Sequence, residues 1–582
     1  MDTFAIVPLE WVFFVAASLL ILGILASKIS SWFNAPVLVM FLAVGMLAGS
    51  EGVARLSFIA WEGIEFSNYH AANFIGSLAL CYILFAGGLG INWKSVRPAL
   101  ATGGVLASVG VFLTALVVAL CCSWLLDMPF ANAMLLGAII SSTDAAAVFA
   151  VLRAKGVGVK GSLKPLLELE SGSNDPMAAF LTVFMISVVT APETHSYWEI
   201  PISFLTRMSV GVSLGLAAGW ASVRVFNKLA LDYDGLYFVL GMGIVLFCYG
   251  LAEIAGGNGF MAVFVCGMVM GNQKFLYHNG FKKFNDGISW LMQVSMFLML
   301  GLLVSPTRLL DMQLMSKGLV AVFVLMFVAR PAAVYLCMLG SEYTWRERTL
   351  VSWVGLRGAA PIVLATFPAI HGVPDYDQYF TIVFFIVLIS VLVQGRTLMP
   401  AARALKLDKP FVTQPRAPLE FEQTDTIKGE MYEHEVAAGS GAADRPIRDL
   451  HLPKKARILM IRRGEGYVVP DGNTVIRAGD GLMFLTEQDV FLEAHQLLSR
   501  PGKRVAEPEG ESGRKLVSLP PEPALKDESG APSGERLQEL DAGEFLGHDA
   551  LPDDDWPVEQ EIPAEAKEPG APSEEAHPLE KC

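Results

Sequence analysis

The chain has 582 residues, 53% of them apolar, and a mean hydropathy of +0.47. A soluble protein of this size is excluded, and apolar runs of membrane length, rather than alternation, read as a polytopic membrane protein. The net charge of −14 belongs to the end of the chain, because Pro501–Cys582 holds 21 acidic and 8 basic residues and leaves the rest near neutral; no nucleic-acid-binding surface is implied.

The N-terminal MDTFAIVPLE contains no Lys or Arg. It lacks the basic region of a signal peptide, so the first span is expected to be retained. Spans are predicted near 11–27, 36–50, 72–91, 98–126, 130–151, 165–190, 201–222, 235–254, 258–272, 287–304, 317–340, 348–370 and 377–400, thirteen in all. One set of loops holds fourteen bases, among them Lys28, Arg97, Arg153, Lys155, Lys160, Lys164 and Lys228. The other holds about four: Arg55, Arg308, Lys317 and, at a span edge, Arg207. That bias puts the first set in the cytoplasm, the N-terminus outside and, after an odd number of spans, the C-terminus inside. Six of the seven cysteines lie in apolar runs and none forms C-x-x-C, so neither a disulfide framework nor a zinc site is expected.

After the membrane region (1–400) a basic linker (401–418) leads to a small α/β module (419–500). ARILMIRRGEGYVVPDGNTVIRAGDGLMFLTEQD reads as three strands with turns at Pro470-Asp471-Gly472 and Gly479-Asp480-Gly481, and VFLEAHQLL as a short helix. The acidic stretch 501–582 is rich in Pro, Glu, Gly, Ala and Ser and is expected to be disordered.

Ionisable residues inside spans are costly and mark function. GAIISSTDAAAV places Asp144 mid-span behind Ser141, Ser142 and Thr143, whose oxygens can ligate a cation. In LELESGSNDP, Ser171 and Asp175 share one helical face, Glu170 and Asn174 the adjacent one, and Pro176 removes a backbone donor. Glu168, nearer the cytoplasmic end, reads as structural or interfacial. Arg330, followed by Pro331, needs a carboxylate partner. Arg357 sits in GLRGAAP, a Gly-Pro pattern of a broken helix. Asp144 is in span 5 and Arg357 in span 12, corresponding helices if spans 1–6 and 8–13 are inverted repeats; breaks in matching helices point to a midplane transport site.

SSTDAAAV, LESGSNDP, ARP and GLRGAAP, in this order, resemble the monovalent cation/proton antiporter superfamily, its NhaP-like branch, and within it bacterial potassium/proton antiporters of the cell-volume-regulation (CvrA) kind. The resemblance runs from Met1 to about Leu407. It implies thirteen helices in an inverted repeat with crossed broken helices, and a homodimer in the bacterial inner membrane. By motif, Asp175 would bind cation or proton. Asp144 and the Thr143 backbone would help ligate the ion, with Ser171 nearby, Asn174 would orient the site, and Glu170 would pair with Arg357 or Arg330. Where many NhaP-like members carry a Glu in span 3, this chain reads LFAGGLG, with Ala86 in its place. The module resembles a TrkA-C regulatory domain on IRDLHLP, ILMIRRG and VVPDGNTVIRAGDGLMFL, which implies dimerisation and a small regulatory ligand; no other cofactor is expected.

The chemistry is coherent on its own terms. A cation beside a carboxylate favours the charged form and desolvation the neutral one, so one buried carboxylate holds a proton or a cation, not both. The expected function is exchange of K⁺, or Na⁺, for H⁺; the family precedent for an Asn-Asp pair is electroneutral exchange. A regulated cation channel is the other class, but no T-V-G-Y-G-like filter occurs. Organic-solute symport shares crossed helices, yet Asn-Asp with Arg favours an inorganic cation. Nothing suggests an enzyme.

Overall fold

The apolar runs form helices in a computed structural model of the protein, which describes residues 8–33, 37–49, 51, 66, 68–154, 157–159, 163–191, 199–229, 231–410, 430–437, 439–453, 455–464, 466–486 and 488–499. The acidic tail, positions 411–429 of the linker and module, and Arg55, Lys155 and Lys160 of the charge bias lie outside the described residues. One-turn helices aside, the membrane region comprises α1 (Leu9–Phe33), α2 (Val37–Ala48), α3 (Tyr69–Gly90), α4 (Trp93–Leu125), α5 (Phe130–Ile139), α6 (Ala145–Ala154), α7 (Leu163–Thr190), α8 (Glu199–Lys228), α9 (Asp234–Ile254), α10 (Gly259–Gly271), α11 (His278–Leu303), α12 (Met312–Cys337), α13 (Trp345–Trp353), α14 (Ala359–Ile370) and α15 (Tyr376–Ala404).

Thirteen spans were expected. Among the described residues nine helices are long and apolar enough to cross a membrane. Four shorter apolar helices, α2, α5, α10 and α14, fall where spans 2, 5, 9 and 12 were placed. Spans 5 and 12 are each two half-helices, α5 with α6 and α13 with α14, separated by non-helical backbone at 141–144 and 355–358. A second paired irregularity lies in spans 4 and 11. Each contains a π-turn, Leu106–Gly110 in α4 and Leu325–Ala329 in α12. Breaks and π-turns thus both recur seven spans apart, a correspondence that residue identities do not display. Pro176, by contrast, sits inside an uninterrupted α7, so the donor it removes does not break the helix.

The helices pack in two groups. In one, α2 meets α11, α3 meets α10 and α11, and α10 meets α8 and α9; in the other, α4, α5, α7, α12, α13 and α15 surround the two breaks. The first group is joined through glycines. A Cβ on Gly45 would sit 2.1 Å from Leu298 O, on Gly88 2.3 Å from Phe264 O, and on Gly267 2.4 Å from Phe85 O. Backbones can approach that closely only where no side chain intervenes, the usual device of helix pairs in lipid. On one face of the bundle, the Tyr69 hydroxyl donates to Asp377 Oδ1 (2.9 Å), and Arg308 Nη1 is 2.8 Å from Asp377 Oδ2.

Two short strands lie close to the membrane helices. β1 (Val157–Val159), after α6, pairs antiparallel with β2 (Asp408–Pro410), after α15. The module is an antiparallel sheet of β3 (Glu430–Glu435), β4 (Arg457–Arg463), β5 (Gly466–Val468) and β6 (Gly481–Thr486), in the order β3-β6-β4-β5, with α16 (Gln488–Leu498). The expected first and last strands and the helix are present, the first divided into β4 and β5; the strand expected between the two turns is reduced to an isolated bridge of Val475 with Pro446. β3 (EMYEHE) was not expected, because its alternate charges hide a pattern in which His434 points inward. Ile461, Leu482, Phe484, Ala494 and Leu498 form its core.

Within the module, His434 Nδ1 lies 2.8 Å from His495 Nδ1. Burial, and secondarily the neighbouring His495, hold His434 below the ordinary histidine range. A depressed folded value means that the stabilising contribution is complete above the unfolded value of about 6.5 and is lost as pH falls through the lower, folded one. The protection factors of the β3 and α16 amides, taken relative to intrinsic exchange at each pH, are therefore expected to fall on acidification below about pH 6.5, and less so in His434→Gln. A fall of equal size in both would remove His434 as its source.

Candidate ion-exchange site

α5 stops at Ile140 because Ser141, Ser142, Thr143 and Asp144 offer side-chain oxygens to a backbone that then need not stay helical. Asp144 opens α6 as its cap, accepting the Ala147 N–H at 3.0 Å. On the crossing chain Gly355 and Gly358 flank the second break. The two breaks are hydrogen-bonded to each other, with Asp144 N–H donating to Leu356 O at 2.8 Å. Gly358 is fixed by space. A Cβ there would lie 2.1 Å from Asp144 Oδ2, whereas no side chain contests the place now. Gly358→Ala is expected to lower cation-dependent exchange by about 100-fold through displacement of that carboxylate, at unchanged membrane abundance, in a vesicle assay normalised to protein.

α7 supplies the rest. The Asn174 amide donates to Thr143 Oγ1 (2.6 Å). The Ser171 hydroxyl donates to Thr143 O (3.0 Å) and accepts the Ala145 N–H (3.0 Å), so it splices the first break. Thr143, Asp144, Ser171, Asn174 and Asp175 therefore meet at one place, as the sequence suggested. Asp175 lies near Asp144 and Arg357, with the Ser142 hydroxyl facing it. Asp175 Oδ1, Asn174 Oδ1 and Ser142 Oγ are buried without a well-aligned hydrogen-bond partner among the described residues. Asp144, Asp175, Thr143 and Ser171 line a cavity of about 1250 Å³ that extends to Glu168, Asp286, Arg396 and Arg403. Ala86 stands in its wall. Glu168 itself lies 3.7 Å from Lys164.

The two arginines divide their work. Arg330 Nη2 is 2.6 Å from Glu170 Oε1, with both side chains at most 4% exposed, and its guanidinium also donates to Val351 O at 3.4 Å. Arg357, 1% exposed, donates from Nη1 to Ser141 O (2.9 Å) and Ser142 O (2.6 Å). It places positive charge at the C-terminal end of α5, where carbonyls lack helical donors. The partner of Glu170 is thus Arg330.

Three positioning residues escaped the sequence reading. On α15, Ser390 accepts the Arg357 N–H (3.2 Å) and donates to Gln394, whose amide donates to Trp353 O (3.1 Å). This i,i+4 polar pair holds the end of α13 and the second break itself. Asn258 caps α10 through the Met261 N–H and donates to Pro176 O at 3.0 Å. The only signal was neutral polarity inside an apolar run, which is weaker than a charge.

A family model for the sodium/hydrogen exchanger transmembrane domain matches residues 16–404, and the TrkA-C domain model matches 431–499. The chain is 37% identical over 484 residues to the K⁺/H⁺ antiporter NhaP2 of Shewanella baltica, covering 83% of this chain and 82% of that relative. It is 37% identical over 469 residues to the K⁺/H⁺ antiporter NhaP of Alkalimonas amylolytica, covering 80% and 79%. A solved structure of the sodium proton antiporter MjNhaP1 from Methanocaldococcus jannaschii superposes with a TM-score of 0.56 at 21% identity, over 67% of this chain and all of that one. Two broken helices hydrogen-bonded at their breaks, with an Asn-Asp pair beside them, stand within the matched region, and the chain belongs to the sodium/hydrogen exchanger family.

Proposed function

We propose that the protein exchanges K⁺ for H⁺ at Asp175, with Asp144, Thr143, Ser171 and Asn174 completing the site. The observation that carries this is the convergence of two carboxylates and orphaned polar oxygens on one cavity beside the crossed breaks. A cation that reaches Asp175 displaces its proton, and the reverse, because both neutralise the same oxygens. The charge inventory favours one-for-one exchange. Glu170 and Arg330 cancel, Arg357 offsets one of Asp144 and Asp175, and a single added charge, cation or proton, completes neutrality. K⁺ is favoured over Na⁺ by the named relatives and by the TrkA-C module.

The protein acts, in this reading, as a homodimer in the bacterial inner membrane, N-terminus outside and C-terminus in the cytoplasm, in pH, cation and volume homeostasis. The module binds a small regulatory ligand. Collapse of a preset ΔpH in everted vesicles by K⁺, Na⁺, Rb⁺ and Li⁺ tests the substrate. K⁺ and Rb⁺ are expected to be most effective; collapse by Na⁺ and Li⁺ alone makes the protein a Na⁺/H⁺ antiporter.

A further inference from the structure

β1 and β2 occupy an unusual place. β1 begins three residues past α6, the half-helix that Asp144 opens, and α7, which carries Asp175, starts at Leu163 on its other side. β2 follows α15 after Leu405, Lys406 and Leu407, with Lys406 turned at φ +58° and Leu407 buried. Beyond Pro410 the chain runs nineteen residues, 411–429, to the first strand of the TrkA-C module. The partners are Val157 with Pro410, Gly158 with Lys409 and Val159 with Asp408. The segment that tethers the module is therefore hydrogen-bonded to the connection between the two carboxylate-bearing helices.

α15 is engaged with the other break as well. Ser390 and Gln394 hold Arg357 N–H and Trp353 O. From Gln394 to Ala404, and from Asp144 to Ala154, the chain advances ten residue steps, a lever of about 15 Å in each case. The ribbon joins the far ends of these two levers, and their near ends are both hydrogen-bonded to the chain around the second break, Gln394 to Trp353 O and Asp144 N–H to Leu356 O.

We propose that the β1–β2 ribbon is the mechanical tie through which the C-terminal module sets the position of the Asp144 half-helix, and hence cation exchange. This rests on the antiporter reading above. A three-residue ribbon is marginal by itself, so its formation is easily biased by load on the tether. A charged contact at the cavity mouth would act only locally; the ribbon is covalently continuous with the module.

The test uses full-length protein in proteoliposomes, with K⁺-driven proton movement measured against pH. Gly158→Pro breaks the ribbon. Gly158→Cys with Lys409→Cys, at directly opposed positions within disulfide range, locks it under oxidant and frees it under reductant. We expect the half-maximal proton concentration, or the half-maximal K⁺ concentration, to shift at least threefold in opposite directions for the broken and the locked protein, the latter reversibly. A flexible twelve-residue insertion after Pro410 should shift the profile as Gly158→Pro does, and combining the two should add nothing further. Unchanged profiles with the cross-link verified, a uniform loss of maximal rate without a shift, or additive effects of Gly158→Pro and the insertion would each overturn the proposal. Absence of K⁺- or Na⁺-driven proton movement in the unaltered protein would instead overturn the antiporter reading.

Discussion

Asp175→Ala is expected to abolish cation-dependent proton movement in everted vesicles, to the background of vesicles without the protein, while membrane abundance stays within about twofold. Asp175 lines the cavity, and its Oδ1 has no aligned partner among the described residues, so the fold depends on it little. Asp144 differs. Its side chain caps α6, so its loss frays that half-helix as well as taking a carboxylate from the site, whereas the bond to Leu356 O is made by its backbone and persists. Asp144→Asn keeps the cap oxygen and separates the two roles: α6 should stay capped and cation binding should weaken. Exchange retained in Asp175→Ala would move the ion site elsewhere.

Glu170→Ala and Arg330→Ala are each expected to destabilise the protein by about 3–5 kcal/mol, because either leaves an uncompensated charge in a site closed to water. The pair Glu170→Leu with Arg330→Met should recover most of that loss, since replacing both members removes the unpaired charge. The unfolding midpoint in detergent reads the effect. Equal losses in the single and double variants would mean that Arg330 acts through Val351 O and the Gly355 break rather than through Glu170.

Much of the site was legible because membrane interiors punish charge. Asp144, Asp175, Glu170, Arg330 and Arg357 stand out against apolar runs, and the hydroxyl and glycine clusters beside them announce the breaks. The choice between Arg330 and Arg357 was not legible. A π-turn immediately precedes Arg330 and adds a residue to its turn, so the face it presents does not follow from counting along α12. Ser390, Gln394 and Asn258 are neutral and pass as ordinary polar residues of a span. The ribbon joins residues 157–159 to 408–410, and three residues without alternation carry no strand signal. β3 was hidden for a related reason, because its exposed positions are charged and its inward one is a histidine.

The glycine-mediated packing has a consequence for motion. Where Gly45, Gly88 and Gly267 let one backbone rest on another, no side chain can change rotamer to let the helices slide. The contacts between this group and the group around the breaks are of another kind. Gly76 meets the Val363 side chain, Gly172 the ring of Phe264, and Pro176 O a single asparagine amide. Any reorientation that carries Asp175 from one face of the membrane to the other therefore shears along α3, α10 and α11, where side chains yield, and leaves the interlocked group as a stationary keel.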